Sequence, residues 1–277
     1  MAAGEAGEDL VETPVVVDSE ASVVETSAAA GRIAIGEAGG NMEAKLTNLV
    51  ERMKAAFSDA LKSAILYGSA AADDWHEYGS DLNVLCVLGR LTPRELAQSE
   101  PVFRWWREQG NPPPLLLSAE EVRTSTDCFP MEFSDMQAHR RVLYGEDVIA
   151  GLVVDRSFYR AQVEHELRAK QIRLRQKAAE LLGRPAELMK LLTASISTFC
   201  VLGRHALLLS GRDAHWKKRE VLAALAAALD RPFSGANAIL AIRAAGKMPP
   251  GQDPVAIFGQ YLGETDAVVR FVDSLDR

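Results

Sequence analysis

The stretch from Ala64 to Leu88 reads AILYGSAAADDWHEYGSDLNVLCVL. It contains two short apolar runs, Ala64–Tyr67 and Leu82–Leu88. Apolar runs of this length that are bounded by turn residues are typical of buried β-strands. The first predicted strand leads directly into a Gly68-Ser69 turn. The order strand, glycine turn, strand therefore predicts a buried sheet with a polar turn at one end.

Asp81 and Asn83 stand two residues apart where the second predicted strand begins. Residues i and i+2 of a strand face the same side and lie about 6.5–7 Å apart. We therefore expect these two side chains to project together from one end of the sheet. Gly68 allows a backbone to approach a phosphate closely, and Ser69 adds a hydroxyl and an N–H donor.

The flanking sequence predicts a small mixed α/β domain over residues 41–150. Its further elements are helices from Asn41 and from Pro93, a third strand at Leu115–Leu117, a short helix after a Ser118–Glu121 capping box, and a fourth strand at Phe129–Phe133.

Residues 151–277 predict a different architecture, because strand signals are almost absent there. The apolar spacing indicates about five helices, which predicts an all-α helical bundle domain. The predicted segments are Phe158–Leu182, Pro185–Ser210, Lys217–Leu229, Ala236–Ala245 and Asp253–Leu275.

Met1–Gly40 predicts a disordered acidic tail. This segment has eight acidic residues, one basic residue and no aromatic residue, so it carries the whole formal net charge of -7. A segment of this composition buries too little apolar surface to offset its ordering entropy. The remaining chain is electrically neutral, which argues against nucleic acid as a partner.

The cysteine pattern and the apolar runs predict a cytoplasmic protein without a membrane segment. The three cysteines are widely spaced and form no CxxC pair. The longest apolar run is the nine residues of Val221–Leu229, whereas a membrane helix needs about 20. The N-terminus lacks the pattern of a signal peptide.

The Gly68-Ser69 turn, followed by Asp81-x-Asn83 on the next strand, resembles the signature of the nucleotidyltransferase superfamily, which includes DNA polymerase beta and kanamycin nucleotidyltransferase. The resemblance implies an α+β fold, a small nucleotidyltransferase-like mixed sheet followed by a helical bundle. It implies that the turn binds the triphosphate of a nucleoside triphosphate, with Mg²⁺ or Mn²⁺ held by Asp81, Asn83 and a third carboxylate. Glu132 is the candidate for that carboxylate, and Asp135 is the fallback.

The same resemblance implies two-metal chemistry, in which the nucleotidyl group passes to a hydroxyl of a small molecule or protein. Asp81 or Glu132 would accept the proton of that hydroxyl. The segment between the turn and Asp81 contains no Lys or Arg, so the charge facing the triphosphate must come from elsewhere. Arg140, Arg168 and Lys170 are the candidates.

Asn83 departs from the signature, which has a second aspartate at this position. An amide ligates a metal through its carbonyl oxygen but carries no charge. This leaves two alternatives to an active enzyme: a member of the same fold that binds a nucleotide without catalysis, and a protein that acts by binding a partner.

Overall fold

The computed structural model describes residues 35–72, 82–213 and 215–275, and only the backbone of residues 35–40. Within these residues the chain forms one four-stranded sheet with the strand order β3-β2-β1-β4. Strand β1 is antiparallel to β2 and to β4, whereas β3 is parallel to β2, so the sheet is mixed, as predicted. The strands are β1 (Leu61–Tyr67), β2 (Asn83–Leu88), β3 (Leu115–Ser118) and β4 (Arg140–Gly145).

Helices cover both faces of this sheet, which explains why β1 and β2 are almost continuously apolar. Helices α1 (Ile35–Phe57) and α2 (Pro93–Glu108) share a buried cluster with Leu66, Val84 and Cys86. Helices α3 (Ala119–Thr124) and α4 (Pro130–Ala138) contribute to a second cluster, which contains strand residues of the opposite face. Those strand residues are Ile65, Leu85 and Val87.

Two helix starts follow local sequence signals. Thr92 caps α2 in a capping box with Glu95, and Pro93 occupies the first turn. The predicted capping box of Ser118 and Glu121 is present at α3, with the Glu121 N–H donating to Ser118 Oγ at 3.1 Å.

The prediction of a fourth strand at Phe129–Phe133 was wrong. This segment enters helix α4, and the fourth strand is β4, which begins ten residues after Pro130. Pro130 fits the first turn of a helix, where its missing N–H leaves no hydrogen bond unmade. Phe133 and Met136 then face the sheet at helical spacing, so tertiary packing outweighs the strand propensity of the short apolar run.

The second half of the described chain contains five helices, as predicted. They share one buried apolar cluster, to which α4 also contributes Met131. Their bounds are α5 (Tyr159–Ala179), α6 (Pro185–Leu209), α7 (Lys218–Leu229), α8 (Ser234–Ala245) and α9 (Pro254–Ser274).

Helix α6 has the length and the apolar composition of a membrane span. Its apolar residues, such as Leu192, Ile196 and Leu207, are buried among the other helices of the bundle. Buried core helices of water-soluble domains meet the same criterion, and burial accounts for the composition of α6.

Helix α1 begins at Ile35, six residues before the predicted start at Asn41. The predicted disordered tail, Met1–Gly40, therefore overlaps the first six residues of this helix. The rest of the predicted tail, residues 1–34, lies outside the described residues. The division into domains at residues 41–150 and 151–277 stays a prediction.

Candidate active site

The ends of β1 and β2 form one part of the candidate site. Tyr67, the last residue of β1, pairs with Asn83, the first residue of β2. Gly68 follows in a left-handed conformation, with φ of 77°, and opens a 3₁₀ turn over Gly68–Ala70. A Cβ added at Gly68 would lie 3.2 Å from Asn83 Nδ2, so the absence of a side chain allows the Asn83 amide to lie against the turn.

Asn83 lies on the sheet face that α4 covers. Alternation along β2 places Asn83 on the same side as Leu85, which packs with Phe133 of α4. Tyr67 also packs against this cluster. Asp81 lies outside the described residues, so its predicted position beside Asn83 stays a prediction.

Helix α4 brings Glu132 to this region of the protein. Glu132 lies in the first turn of α4 rather than on a strand, as the corrected secondary structure requires. Burial by surrounding atoms raises the pKa of its carboxyl, and the charges of Asp135 and Glu166 add to this effect. Burial also raises the pKa of Tyr67 to about 12, with a further contribution from the Glu132 charge.

Glu132 nevertheless keeps an exposed surface. A carboxylate that is surrounded by protein and still reached by solvent can exchange a proton with a ligand, as a general base must. The raised pKa brings this group closer to the range in which such a base works.

Asp135, the alternative third carboxylate, is already engaged with the helical bundle. It forms an ion pair with the buried guanidinium of Arg204, and its Oδ1 lies 3.3 Å from His205 Nε2. His205 Nδ1 in turn shares a hydrogen bond with the Tyr159 hydroxyl. The Arg204 guanidinium also lies over the Trp216 ring, 4.1 Å from its centroid. These contacts leave Glu132 as the more available of the two carboxylates.

Arg140 lies at the same end of the sheet as the glycine turn, because it pairs with Tyr67 across β1 and β4. Its guanidinium donates to Asp147 at 2.9 Å and to the carbonyl oxygen of Gln137 at 2.6 Å. Arg140 could therefore contact a triphosphate only after exchanging these partners.

The two predicted cations of α5 also have partners. Arg168 Nε donates to Glu164 at 2.8 Å, and its guanidinium lies 3.5 Å from Asp273 of α9. Lys170 Nζ lies 4.0 Å from Glu166, the residue whose charge acts on Glu132. Helix α5 thus contributes an acidic residue, Glu166, to the surroundings of Glu132.

The oxygen donors near the sheet end suit a hard cation such as Mg²⁺. The Asn83 carbonyl and the Glu132 carboxylate are ligand types that Mg²⁺ prefers. Within the described ranges, however, no group of three or more His, Cys, Asp or Glu side chains is arranged to hold a metal ion. A complete ligand set would need Asp81 and the phosphates of the substrate.

Three further residues of this region, Arg204, His205 and Asn111, were not predicted from the sequence. Arg204 and His205 are polar residues within the apolar helix α6. Because buried charges need partners, their position in an apolar helix was a signal for a buried ion pair. Asn111, in the loop before β3, gave no such signal. Its Oδ1 accepts a hydrogen bond from the Leu82 N–H at 3.4 Å, beside the start of β2.

Comparison with known proteins finds similarity among solved structures. No protein-family model matches the sequence, and no curated protein matches it. Among solved structures, the chain is similar to spectinomycin adenyltransferase AAD(9) from Enterococcus faecialis, solved with ATP and spectinomycin. The TM-score is 0.54 and the sequence identity 14%, over 83% of this chain and 99% of that chain.

This likeness shows a shared fold. The described residues form a mixed sheet followed by a helical bundle, which is the fold that the resemblance in the sequence implied. At this identity the activity does not transfer with the fold, and it must be argued from the site.

Proposed function

We propose that this protein binds a nucleoside triphosphate at the Gly68-Ser69 turn and transfers its nucleotidyl group to a hydroxyl of a small-molecule or protein acceptor. The observation that carries the proposal is the contact between Gly68 and Asn83 at the paired ends of β1 and β2. It gives the glycine turn a polar neighbour on the sheet face that α4 covers, and the charge of Glu132 in α4 acts on Tyr67, the residue paired with Asn83.

The glycine turn supports phosphate binding by its shape. Gly68 has no side chain to keep a ligand from the backbone, and the first N–H groups of a 3₁₀ turn have no acceptor within the turn. The hydroxyl of Ser69 adds a donor beside them. Binding of ATP by the structurally similar adenyltransferase supports the choice of a nucleoside triphosphate as donor.

The reaction would proceed by attack of the acceptor hydroxyl oxygen on the α-phosphorus. The new P–O bond forms as the bond from the α-phosphorus to the bridging oxygen breaks, and pyrophosphate leaves with that oxygen. Glu132 accepts the proton of the attacking hydroxyl, and its raised pKa favours this role. Asp81 is the other candidate for this step.

Asp81, Asn83 and Glu132 would hold Mg²⁺ or Mn²⁺ together with the phosphates. When bound, such an ion neutralises phosphate charge and stabilises the developing charge on the leaving group. The residues of the chain orient the acceptor and receive its proton. Arg140 and Lys170 could turn to the phosphates if binding releases them from Asp147 and Glu166.

The test is a panel of the four common nucleoside triphosphates with Mg²⁺ or Mn²⁺. Binding is measured by titration calorimetry, and transfer by release of pyrophosphate in the presence of hydroxyl acceptors. We expect at least one nucleotide to bind in a metal-dependent way, and Asp81→Ala to abolish this binding without changing the far-UV circular dichroism. Asp213→Ala, at an exposed aspartate elsewhere, is the matched control. Failure of the parent protein to bind any of the four would refute the proposal.

One observation favours the non-catalytic alternative, in which the protein binds a nucleotide without transferring it. None of the four described strands carries an Asp or Glu, and Asn83 provides an amide instead. Metal-dependent nucleotide binding with no pyrophosphate release for any acceptor class would support this second function.

A further inference from the structure

Asn111 combines two unusual features next to the candidate site. It lies in the loop between α2 and β3, and only 8% of its surface is exposed. Its Oδ1 accepts from the Leu82 N–H, whereas its Nδ2 has no hydrogen-bond partner. Buried donors are nearly always paired in native proteins, so an unpaired donor calls for an explanation such as a ligand.

The position of this donor is closely limited by covalent geometry. The two bonds of a carboxamide are about 1.2 and 1.3 Å long, so Nδ2 lies within about 6 Å of the Leu82 nitrogen. That nitrogen is bonded to the carbonyl carbon of Asp81, and Leu82 precedes Asn83. The unpaired donor therefore lies close to Leu82, the residue that precedes Asn83.

We propose that Asn111 is a nucleotide-contacting and positioning residue of this site, which deepens the proposed function and rests on it. Its Oδ1 holds the backbone at Leu82 and so helps to position Asn83, the next residue along β2. Its Nδ2 donates a hydrogen bond to a phosphate oxygen of the bound nucleoside triphosphate.

Charge favours a phosphate as the acceptor of this hydrogen bond. The segment Ala70–Ser80 contains three carboxylates and no Lys or Arg, and Arg140 is paired with Asp147. A neutral amide donates to a phosphate oxygen and forms no ion pair with a carboxylate. Asn111 thus supplies a donor where the sequence provides no cation.

Two substitutions separate the roles of the two amide atoms. Asn111→Asp keeps an acceptor for the Leu82 N–H and removes the donor, whereas Asn111→Leu removes both. Gln109→Glu adds the same charge at an exposed position two residues away and is the matched control. The measurements are ATP affinity with Mg²⁺ by calorimetry, and hydrogen exchange of the Leu82 amide.

We expect Asn111→Asp to preserve protection of the Leu82 amide and to weaken ATP binding about 10- to 100-fold, the loss expected for a hydrogen bond to a charged group. Asn111→Leu should lose both the protection and the affinity, and Gln109→Glu neither. In the unsubstituted protein, the Asn111 side-chain amide resonances should shift when ATP is added. This measurement does not depend on the folding of a variant.

The outcomes distinguish this inference from the proposed function. If the parent binds ATP but Asn111→Asp binds equally tightly, or the Asn111 resonances do not shift, the inference is wrong and the proposed function stands. If the parent binds no nucleotide, the proposed function fails, and the assignment of Nδ2 to a phosphate fails with it.

Discussion

The β1–β2 hairpin and helix α4 contribute the two halves of the candidate site, and they are held in place by different means. The hairpin ends are fixed by a ladder of paired residues that continues to Tyr67 and Asn83. Helix α4 has only nine residues, too few to be stable alone, and tertiary contacts hold it.

The contacts of α4 point in two directions. Phe133 and Met136 pack against the sheet, whereas Met131 packs with the bundle and Asp135 pairs with Arg204. The hairpin is therefore determined mainly by its backbone, and the position of Glu132 by a few side chains. Substitutions should be able to displace the α4 half of the site while the hairpin half remains in place.

Breaking the Asp135–Arg204 pair should have the largest effect. Asp135→Ala leaves the Arg204 guanidinium, whose side chain is only 6% exposed, without its carboxylate. Removing one partner of a buried pair costs about 3–5 kcal/mol, and the partial exposure of Asp135 favours the lower end of that range. We expect a loss of about 3 kcal/mol in the free energy of unfolding, measured by chemical denaturation.

Hydrogen exchange then tests whether Asp135→Ala destabilises only the α4 half of the site. Amides of α4 should exchange faster in Asp135→Ala, while those of β1 and β2 keep their protection. Combining Asp135→Ala with Arg204→Met should recover much of the stability, because no buried charge is left unpaired. A loss below 1 kcal/mol, or equal loss of protection in both halves, would contradict the comparison.

Gly68→Ala tests the hairpin half, with a smaller expected effect. Alanine at a φ of 77° costs about 1–2 kcal/mol, and its Cβ would also press on Asn83 Nδ2 at 3.2 Å. Gly110→Ala is the matched control, since Gly110 has a φ of 83° but nothing within 4 Å of an added Cβ. Gly68→Ala should therefore lower the melting temperature more than Gly110→Ala does. Equal decreases would show that the Asn83 side chain moves away from the added Cβ at no cost in stability.

The same contrast explains what the sequence revealed about the fold. The β1–β2 hairpin was predictable because its signals are local: apolar runs, a glycine turn and polar residues two apart. The start of α4 was mispredicted because Phe129, Met131 and Phe133 alternate as they would on a strand. Pro130 is a local helix signal there, but the deciding contacts come from residues distant in the sequence.

The candidate site was predictable to a similar degree. The glycine turn at Gly68 and the polar start of β2 at Asn83 were recognised from their spacing, and the structure brings the two residues together, whereas their roles stay predictions. The engagement of Asp135 by Arg204 and the burial of Asn111 depend on tertiary packing between segments far apart in the chain. Spacing alone does not encode such contacts.

Asn83→Asp tests the hairpin half of the site, which presents the Asn83 amide, whereas α4 presents the Glu132 carboxylate. A charge placed about 4 Å from a dication gains several kcal/mol at an effective dielectric near 20, before desolvation is subtracted. A net gain of about 1.4 kcal/mol would tighten Mg²⁺ or Mn²⁺ binding about tenfold in the presence of nucleotide.

Titration of the metal into the protein with saturating nucleotide measures this gain. In an Asp81→Ala background, Asn83→Asp should restore little, since both residues would serve one cluster. Unchanged metal affinity together with a lower melting temperature would mean that this face of β2 is not a metal site.

Glu132→Gln should give the smallest effect, and its sign depends on pH. Because burial raises the pKa of Glu132, the folded state prefers the protonated form, and ionisation of this group costs stability. That cost is absent below the pKa of the unfolded chain, about 4.3, and grows as pH rises through the folded-state pKa. Glutamine removes the cost. Because the Glu132 side chain keeps an exposed surface, solvent screening makes that cost small, so Glu132→Gln should be more stable than the parent by about 0.5 kcal/mol or less near pH 7 and equally stable at pH 3. Glu120→Gln, which removes an exposed carboxylate of α3, is the matched control. A Glu132→Gln protein that is less stable than the parent at neutral pH would indicate that the carboxylate holds α4 in place, rather than being held by it.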